Sequence, residues 1–266
     1  MPPITRLDHV VIAVKNLDAA AASYRKLGFT LTPRGLHEGK GTGNHCIMFG
    51  STYIELLGIV DETGAKGRLA QRVNDRGEGG MAIAYGADDA DKTHAALRAA
   101  GIEAETPNDL SRPLNLDGQR EMVRFRNIML PGLQLPETMQ FVCTHQTPEL
   151  TRARHEWQLH PSGATGVAEV IVAVDDIAAA QSQLVPAALA NAQITLTTPA
   201  EIERRFGKSM QGAPKHGIVA MTVRVNEPDA AAAMLSMAKI PHHETRNTVT
   251  VPAHAAHGVV IEFAET

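Results

Sequence analysis

Apolar and polar residues alternate along the chain in a pattern that predicts a strand followed by a helix, and this pair recurs four times. The apolar run at 7–14 predicts a buried strand, and apolar residues at helical spacing then predict a helix over 17–27 that ends at Gly28. The other three pairs are strands at 80–85, 167–174 and 218–225, with helices at 89–100, from 175, and at 228–237. An internal repeat of this kind predicts four related modules.

Further strand patterns follow the helix in three of the four modules, which therefore have the order β-α-β-β-β. They lie at 29–33, 44–49 and 52–58, at 102–105, 120–128 and 138–144, and at 240–245, 248–251 and 259–263. The third module is irregular. Its strand at 193–197 runs into a helical pattern at 200–207, and its last two strands are missing or degraded.

A polar stretch at 145–165 predicts where the chain divides. We expect a first domain at 1–148 that contains modules one and two, a linker at 149–165, and a second domain at 166–266 that contains modules three and four. The predicted fold class is α+β, with tandem βαβββ modules arranged as two halves of paired modules and with the third module irregular.

Two residues in the first module bring chemistry to one face of its sheet. Strand alternation puts Val10 and Ile12 under the helix and His9 on the opposite face, and Tyr53 and Glu55 share that face. If the two strands are neighbours, His9 and Glu55 stand ~5 Å apart. An imidazole and a carboxylate so placed can hold a divalent metal or form an acid–base pair. They could equally form a hydrogen bond in a half-buried strand.

Polar side chains around the glycine-rich stretch at 35–44 are candidates for ligand binding. Glycines there permit close approach of a ligand to the backbone, and His37, Thr42 and Asn44 add polar groups, as Tyr53 does nearby. The alternative is an ordinary flexible loop before a strand.

Arg124 and Arg126 alternate within a predicted strand and so share one face. On the concave face of a sheet they would bind an anionic, carboxylate-like ligand, because guanidinium groups pair well with carboxylates. The alternative is a pair that faces solvent.

The whole chain resembles the vicinal oxygen chelate superfamily, and within it the glyoxalase-like proteins. The residues that carry the resemblance lie at 7–14, 35–44, 53–57 and 258–263. The resemblance implies paired βαβββ modules whose sheets form a cup around a small-molecule site. It also implies a divalent metal bound by residues on the first and last strands of two paired modules.

Carried over by position, the resemblance makes His9, Glu55 and Gln140 the metal ligands of the first half. Ala82 stands where a fourth ligand would be expected, so the four-ligand set of the superfamily is incomplete. A glutamine oxygen binds a hard cation weakly beside a carboxylate.

In the second half, Glu169 stands at the place of His9 and Glu262 at the place of Glu55. Ala220 fills the corresponding first-strand position of the fourth module. The two glutamates are therefore candidates for a second site.

The resemblance favours a metal-assisted lyase or isomerase that acts on a small oxygen-bearing, anionic metabolite, with Glu55 exchanging the proton. The candidate metals are Mn, Zn, Ni, Fe and Mg, and no nucleotide cofactor is expected. The alternative is a metal-free protein that binds and sequesters a small molecule, which the missing ligand at Ala82 favours. Because superfamily members often pair and the third module leaves an open edge, a homodimer is a further expectation.

Composition narrows the classes of partner and the compartment. The chain has 25 Lys and Arg against 29 Asp and Glu, a formal net charge of −4, which argues against a nucleic-acid or anionic-membrane binder. Cys46 and Cys143 lie in apolar runs and predict buried reduced thiols. No signal-peptide core and no apolar run of about 18 residues is present, so we expect a cytoplasmic protein.

Overall fold

The computed structural model describes residues 4–37, 41–61, 67–151, 154–185 and 193–265. The strands up to residue 151 are β1 (Ile4–Val14), β2 (Gly35–His37), β3 (Thr42–Phe49), β4 (Thr52–Ile59), β5 (Gly79–Ala87), β6 (Asn108–Leu116), β7 (Gln119–Met129) and β8 (Met139–His145). The helices of the same part are α1 (Leu17–Lys26), α2 (Arg68–Arg76), α3 (Ala90–Ala99) and α4 (Pro148–Thr151).

After a 3₁₀ turn at His155–Gln158, the chain builds a second set of elements. The strands are β9 (Ala164–Ala173), β10 (Ile194–Thr197), β11 (Gly217–Val225), β12 (His243–Glu244), β13 (Thr248–Val251) and β14 (Val260–Ala264). The helices are α5 (Ile177–Gln181), α6 (Pro199–Phe206) and α7 (Pro228–Met237).

The strands form two sheets, each built from two paired modules. The first has the order β2-β3-β4-β1-β5-β8-β7-β6, in which β1 lies parallel to β4 and antiparallel to β5. Its edge strands β2 and β6 contact each other, so the sheet almost closes around a cavity. The second has the order β10-β9-β11-β14-β13-β12. This is the predicted α+β fold of βαβββ modules, and the third module is the irregular one.

Helices α1, α3, α5 and α7 lie on the faces of the two sheets that point away from their cups. There, one continuous apolar core joins the two halves, with Val10 of β1, Val172 of β9 and Leu235 of α7 among its fully buried members. At Gly80 of β5 an added Cβ would lie 2.7 Å from Cγ2 of Ile218 of β11, so the two sheets approach closely. Because the two halves share one core, no separation in space marks the boundary at 149–165. The division into two domains stays a prediction from the sequence.

The helices predicted at 17–27 and 89–100 are confirmed as α1 and α3. The side chains of Asn16 and Asp89 cap their first turns by accepting backbone N–H bonds. Gly28 has a φ of +82°, which a residue with a side chain rarely adopts. None of the helices in the described part of the chain is both long enough and apolar enough to span a membrane.

The strands predicted at 29–33 and 102–105 are wrong, because both segments are irregular and the strands begin later, at Gly35 and Asn108. Pro33 and Pro107 have no N–H to give to a ladder. The irregular backbone takes other partners: the N–H of Thr30 donates to Nδ1 of His160 at 3.0 Å. Strand β6 and helix α2 were not predicted.

Candidate active site in the first cup

A cavity of about 430 Å³ lies inside the first sheet, which we call the first cup. Much of its wall is apolar, and its larger apolar side chains include Leu57, Met81, Phe125, Met129, Phe141 and Trp157. The histidine, carboxylate and arginine side chains that line it are His9, His37, Glu55, Arg112 and His145. A concave, mainly apolar site with a few converging polar groups is the usual form of a small-molecule site.

An irregularity in β1 brings two consecutive side chains to this cup. The pairing of β1 with β5 shifts between Leu7, opposite Tyr85, and His9, opposite Ala84, which leaves Asp8 as an extra residue. Such a bulge breaks strand alternation, so Asp8 and His9 both lie on the side of the cup. Sequence alternation predicted His9 there and missed Asp8.

Asp8 is a buried carboxylate that binds two imidazoles. Its Oδ2 lies 2.7 Å from Nδ1 of His9 and 3.0 Å from Nε2 of His145, and its side chain is 1% exposed. Burial alone would raise the pKa of Asp8, but the hydrogen bonds with His145 and His9 outweigh it and hold the pKa well below its usual range. Since an ionised carboxylate can only accept, both ring nitrogens donate to it.

His9 and Glu55 face each other across the floor of the cup. Nε2 of His9 lies 3.5 Å from Oε2 of Glu55, with β1 and β4 paired in parallel so that Val11 stands opposite Glu55. A neutral His9 that donates from Nδ1 has a lone pair at Nε2, so two acceptors point at each other. A proton or a cation placed between them would relieve this repulsion.

The neighbours of Glu55 and His9 hold the pair in place. Nδ2 of Asn44 donates to Oε1 of Glu55 at 2.7 Å. The ring of Tyr53 stacks on that of His9, with the centroids 4.3 Å apart. Asn44, Tyr53 and Glu55 are thus brought together as predicted for one face, and Asn44 contacts the carboxylate of Glu55 rather than only the rim.

His37 and Thr42 also line the first cup. Nδ1 of His37 lies 3.0 Å from Oγ1 of Thr42, on the neighbouring strands β2 and β3. The described part of the glycine-rich stretch at 35–37 and 42–44 therefore forms two paired strands beside the cavity. Gly39 of the same stretch lies outside the described residues.

Gln140 does not join the predicted metal ligands, which corrects the third ligand of the first half. On β8 it stands opposite Ile83, on the face covered by helices, and its Oε1 accepts from the hydroxyl of Tyr85 at 2.6 Å. Its amide nitrogen donates to the carbonyls of Leu133 and Gln183 at 3.1 and 2.8 Å. Alternation along β8 explains the difference, because it turns the neighbouring residues into the cup instead.

Arg124 and Arg126 lie on the outer face of β7, which corrects their place among the ligand-binding residues. Arg126 pairs with Asp91 at 2.6 Å and with Asp109 at 3.0 Å, and Arg124 is exposed. The solvent-facing alternative is the one the structure shows. The arginine that faces the cup is Arg112, on the unpredicted strand β6.

In the second half, Glu169 and Glu262 do come together, but a cation from α6 already binds both. Arg205 lies 3.0 Å from Oε2 of Glu169 and 2.6 Å from Oε2 of Glu262. The hydroxyl of Thr222 also bonds both carboxylates. The predicted second site is therefore internally neutralised.

His145 and Trp157 are further residues of the cup that the sequence reasoning missed. Both fell in the stretch assigned as a polar boundary. A signal existed for His145: it continues the period-two series that Phe141 and Cys143 begin on β8, and all three line the cavity. Trp157, on the 3₁₀ turn, packs against the buried cluster of Cys46, Met48 and Tyr53 and offers no comparable pattern.

A second group of ligand atoms lies behind the His9–Glu55 pair. Within the described residues, atoms of Asp8, Cys143 and His145 lie within 4.8 Å of one another, a grouping that could hold a metal ion. Burial raises the pKa of the Cys143 thiol well above its usual range, which keeps it protonated. The nitrogen that His145 turns to Asp8 already donates a hydrogen bond.

Comparison with known proteins places this site in a family. Residues 7–189 match the family model described as a glyoxalase-like domain. A hypothetical protein from Staphylococcus aureus, 13% identical, matches 98% of this chain and 99% of its own with a TM-score of 0.68, which shows a shared fold. Among curated proteins, none matches the sequence.

Two methylmalonyl-CoA epimerases are also similar over part of the chain. That of Mycobacterium tuberculosis is 21% identical, covers 54% of this chain and 90% of its own, and has a TM-score of 0.42. That of Streptomyces coelicolor, in complex with 2-nitronate-propionyl-CoA, is 24% identical, covers 54% and 99%, and also has a TM-score of 0.42. The family match spans more than half of the chain and agrees with the paired βαβββ modules. The chain belongs to the glyoxalase-like domain family of the vicinal oxygen chelate superfamily.

Proposed function

We propose that the protein is an enzyme of lyase or isomerase type that moves a proton on a small oxygen-bearing metabolite. One observation carries the proposal. Nε2 of His9 and Oε2 of Glu55 face each other at 3.5 Å on the floor of a cavity, with the other nitrogen of His9 bound to the buried Asp8. Two hydrogen-bond acceptors that face a cavity, one of them held in orientation by a buried carboxylate, are suited to general acid–base chemistry.

Each residue of the pair has a defined role. Asn44 occupies one oxygen of Glu55, which leaves Oε2 as the oxygen that takes a proton from the ligand. Asp8 fixes the hydrogen of His9 at Nδ1, so that Nε2 can receive a proton and return it. The apolar wall of the cavity excludes water from the reacting atoms and strengthens both interactions.

The donor set also fits a divalent metal at the His9–Glu55 pair. An imidazole nitrogen and a carboxylate oxygen converge there, and a carboxylate behind the imidazole is the usual support of a metal-binding histidine. Mn, Zn, Ni, Fe and Mg are the candidates. When bound, such a metal would polarise ligand oxygens and stabilise the negative charge that develops on them.

The proposal is tested by metal content and proton exchange in the same preparations. Wild type, His9→Ala and Glu55→Gln are purified without chelator, and their metal is measured by elemental analysis. Each is then incubated in D₂O with a panel of 2-hydroxy and 2-oxo acids, and loss of the α- or β-proton signal is followed by NMR. We expect exchange in wild type and its loss in both variants. The absence of exchange across the panel would contradict the proposal.

A metal-free binding protein of the same fold is the second candidate, and the position of Gln140 favours it. Of the four positions where the superfamily has metal ligands, Gln140 bonds elsewhere and Ala82 has no ligand atom. Only His9 and Glu55 of these four positions then offer ligand atoms in the cup. A metal held by two protein ligands is weakly held. Ligand binding with no exchange and no stoichiometric metal would support this reading.

A further inference from the structure

Arg112 is a cation of the first cup whose charge is not matched by a carboxylate among the described residues. It stands on β6 and lines the cavity. Its Nη1 is buried without a hydrogen-bond partner, and within the described residues no carboxylate forms an ion pair with Arg112. An unmatched guanidinium beside apolar walls is costly unless a ligand supplies the opposite charge.

The backbone at Gly35 lets the guanidinium lie where it does. A Cβ added at Gly35 of β2 would lie 2.7 Å from Nη1 and 3.0 Å from Cζ of Arg112, and would also collide with Oδ1 of Asn44. The absence of a side chain at residue 35 thus allows Arg112 to cross the seam between the two edge strands. It ends beside Asn44, which binds Glu55.

The side chains around Arg112 indicate which ligand group its guanidinium would bind. Glu55 is the one carboxylate among the described residues that line the cavity, and its oxygens already face Asn44 and His9. A planar guanidinium binds a carboxylate through two parallel N–H···O bonds. Phe125, Met129 and Phe141 give the same cavity an apolar surface.

We propose that Arg112 binds the carboxylate of the substrate and that the substrate is a 2-hydroxy or 2-oxo carboxylate with an apolar tail. This inference rests on the proposed function, because it takes the His9–Glu55 pair as the reacting centre. The carboxylate lies on Arg112, the neighbouring oxygen-bearing carbon lies over Glu55, and the tail contacts the apolar wall.

The experiment compares an acid with its neutral amide. Binding of 3-phenyllactate and of 3-phenyllactamide is measured by calorimetry on wild type, Arg112→Met and Arg112→Lys. Arg124→Met, on the outer face of the same sheet, is the matched control. Because charge-assisted hydrogen bonds are strong, we expect Arg112→Met to weaken binding of the acid about 10- to 100-fold and Arg112→Lys to weaken it less. The amide binds weakly to all four proteins.

Three results overturn the inference: the acid binds Arg112→Met as it binds wild type, the amide binds wild type as tightly as the acid, or wild type does not bind the acid. Thermal unfolding of each variant identifies a folding defect, and Arg112→Lys keeps the test valid if Arg112→Met is destabilised.

Exchange of the α-proton in D₂O separates this inference from the proposed function. Arg112-dependent binding without exchange supports the carboxylate site and contradicts the enzyme. Exchange that persists in Arg112→Met at unchanged apparent affinity supports the enzyme and contradicts the carboxylate site.

Discussion

The two cups of this protein have the same scaffold and opposite contents. The first encloses about 430 Å³ of space lined by His9 and Glu55. The second, the concave face of the sheet that contains β9, β11 and β14, is occupied by α6, whose Ile202 and Phe206 pack in one buried cluster with residues of those strands. The irregular third module therefore replaces two strands with a helix that fills its own cup.

The two cups also differ in whether their charged side chains are paired. Glu169 and Glu262 are bonded by Arg205, so the second cup satisfies its own carboxylates. In the first cup, Nε2 of His9 faces Oε2 of Glu55, and Arg112 has no carboxylate partner among the described residues. Polar groups that the fold leaves unmatched are those that a ligand can complete, whereas matched ones serve stability.

The largest effect should come from the reacting carboxylate. We expect Glu55→Gln to lower the rate of proton exchange about 10²- to 10⁴-fold, because general base catalysis contributes a factor of that size. Glu262→Gln, at the corresponding position of the filled cup, should leave the rate unchanged. The measurement is α-proton exchange in D₂O under saturating ligand. Equal losses in the two variants would mean that the difference between the cups is not functional.

Next in size is the cost of emptying the filled cup. Phe206→Ala should lower the free energy of unfolding by about 3–5 kcal/mol, since it removes a buried aromatic ring from a packed cluster. Phe125→Ala, in the wall of the open cup, should cost less than half of that, because one side of its ring already faces the cavity. Urea denaturation of both variants measures the difference, and similar values would show that α6 packs loosely.

Much of the fold could be predicted because short-range sequence patterns mark the helices and strands of each repeat. Helix α1 has an apolar face at helical spacing, an Asn16 cap and a terminal glycine, and each of these signals is local. Strand β6 was missed for the opposite reason. Its burial pattern is mainly exposed or half-buried, and Pro113 lies inside it, so neither alternation nor propensity indicates a strand.

The site was predictable where alternation held and not where it failed. His9 and Glu55 follow regular alternation and meet as expected, whereas Asp8 reaches the cup only through a bulge, which the pairing of β1 with β5 creates. The error at Gln140 was of one residue along β8, and a shift of one residue changes the face of a strand completely. The predicted cytoplasmic location and homodimer stay predictions.

A smaller effect on the free energy of unfolding is expected from the ionised carboxylate of Asp8 in the first cup. Hydrogen bonds from two imidazoles lower its pKa in the folded protein, so the unfolded chain takes up this proton first as the pH falls. The stabilisation is therefore complete above about pH 5 and declines as the pH drops below about 4. Asp8→Asn should lower the free energy of unfolding at pH 7 by about 1.5–3 kcal/mol and flatten its decline between pH 5 and pH 3.

Denaturation curves at several pH values measure this, with the exposed Asp229→Asn as control. An Asp8→Asn variant with the same acid dependence as wild type would contradict an ionised Asp8 between the two imidazoles.

The smallest of these effects concerns the cation that neutralises the filled cup. Arg205→Met leaves Glu169 and Glu262 without their shared partner, but the arginine side chain is 39% exposed, so water partly compensates. We expect a loss of about 1–2 kcal/mol in the free energy of unfolding. Adding Glu262→Gln should recover part of this loss, because one of the two unmatched charges is then removed.

Arg204 is the control, because its side chain is 77% exposed. Arg204→Met should change the free energy of unfolding by less than about 0.5 kcal/mol. If Arg204→Met and Arg205→Met were equivalent in urea denaturation, the carboxylates of the second cup would not depend on α6, and the cup would resemble the first more closely than its packing indicates.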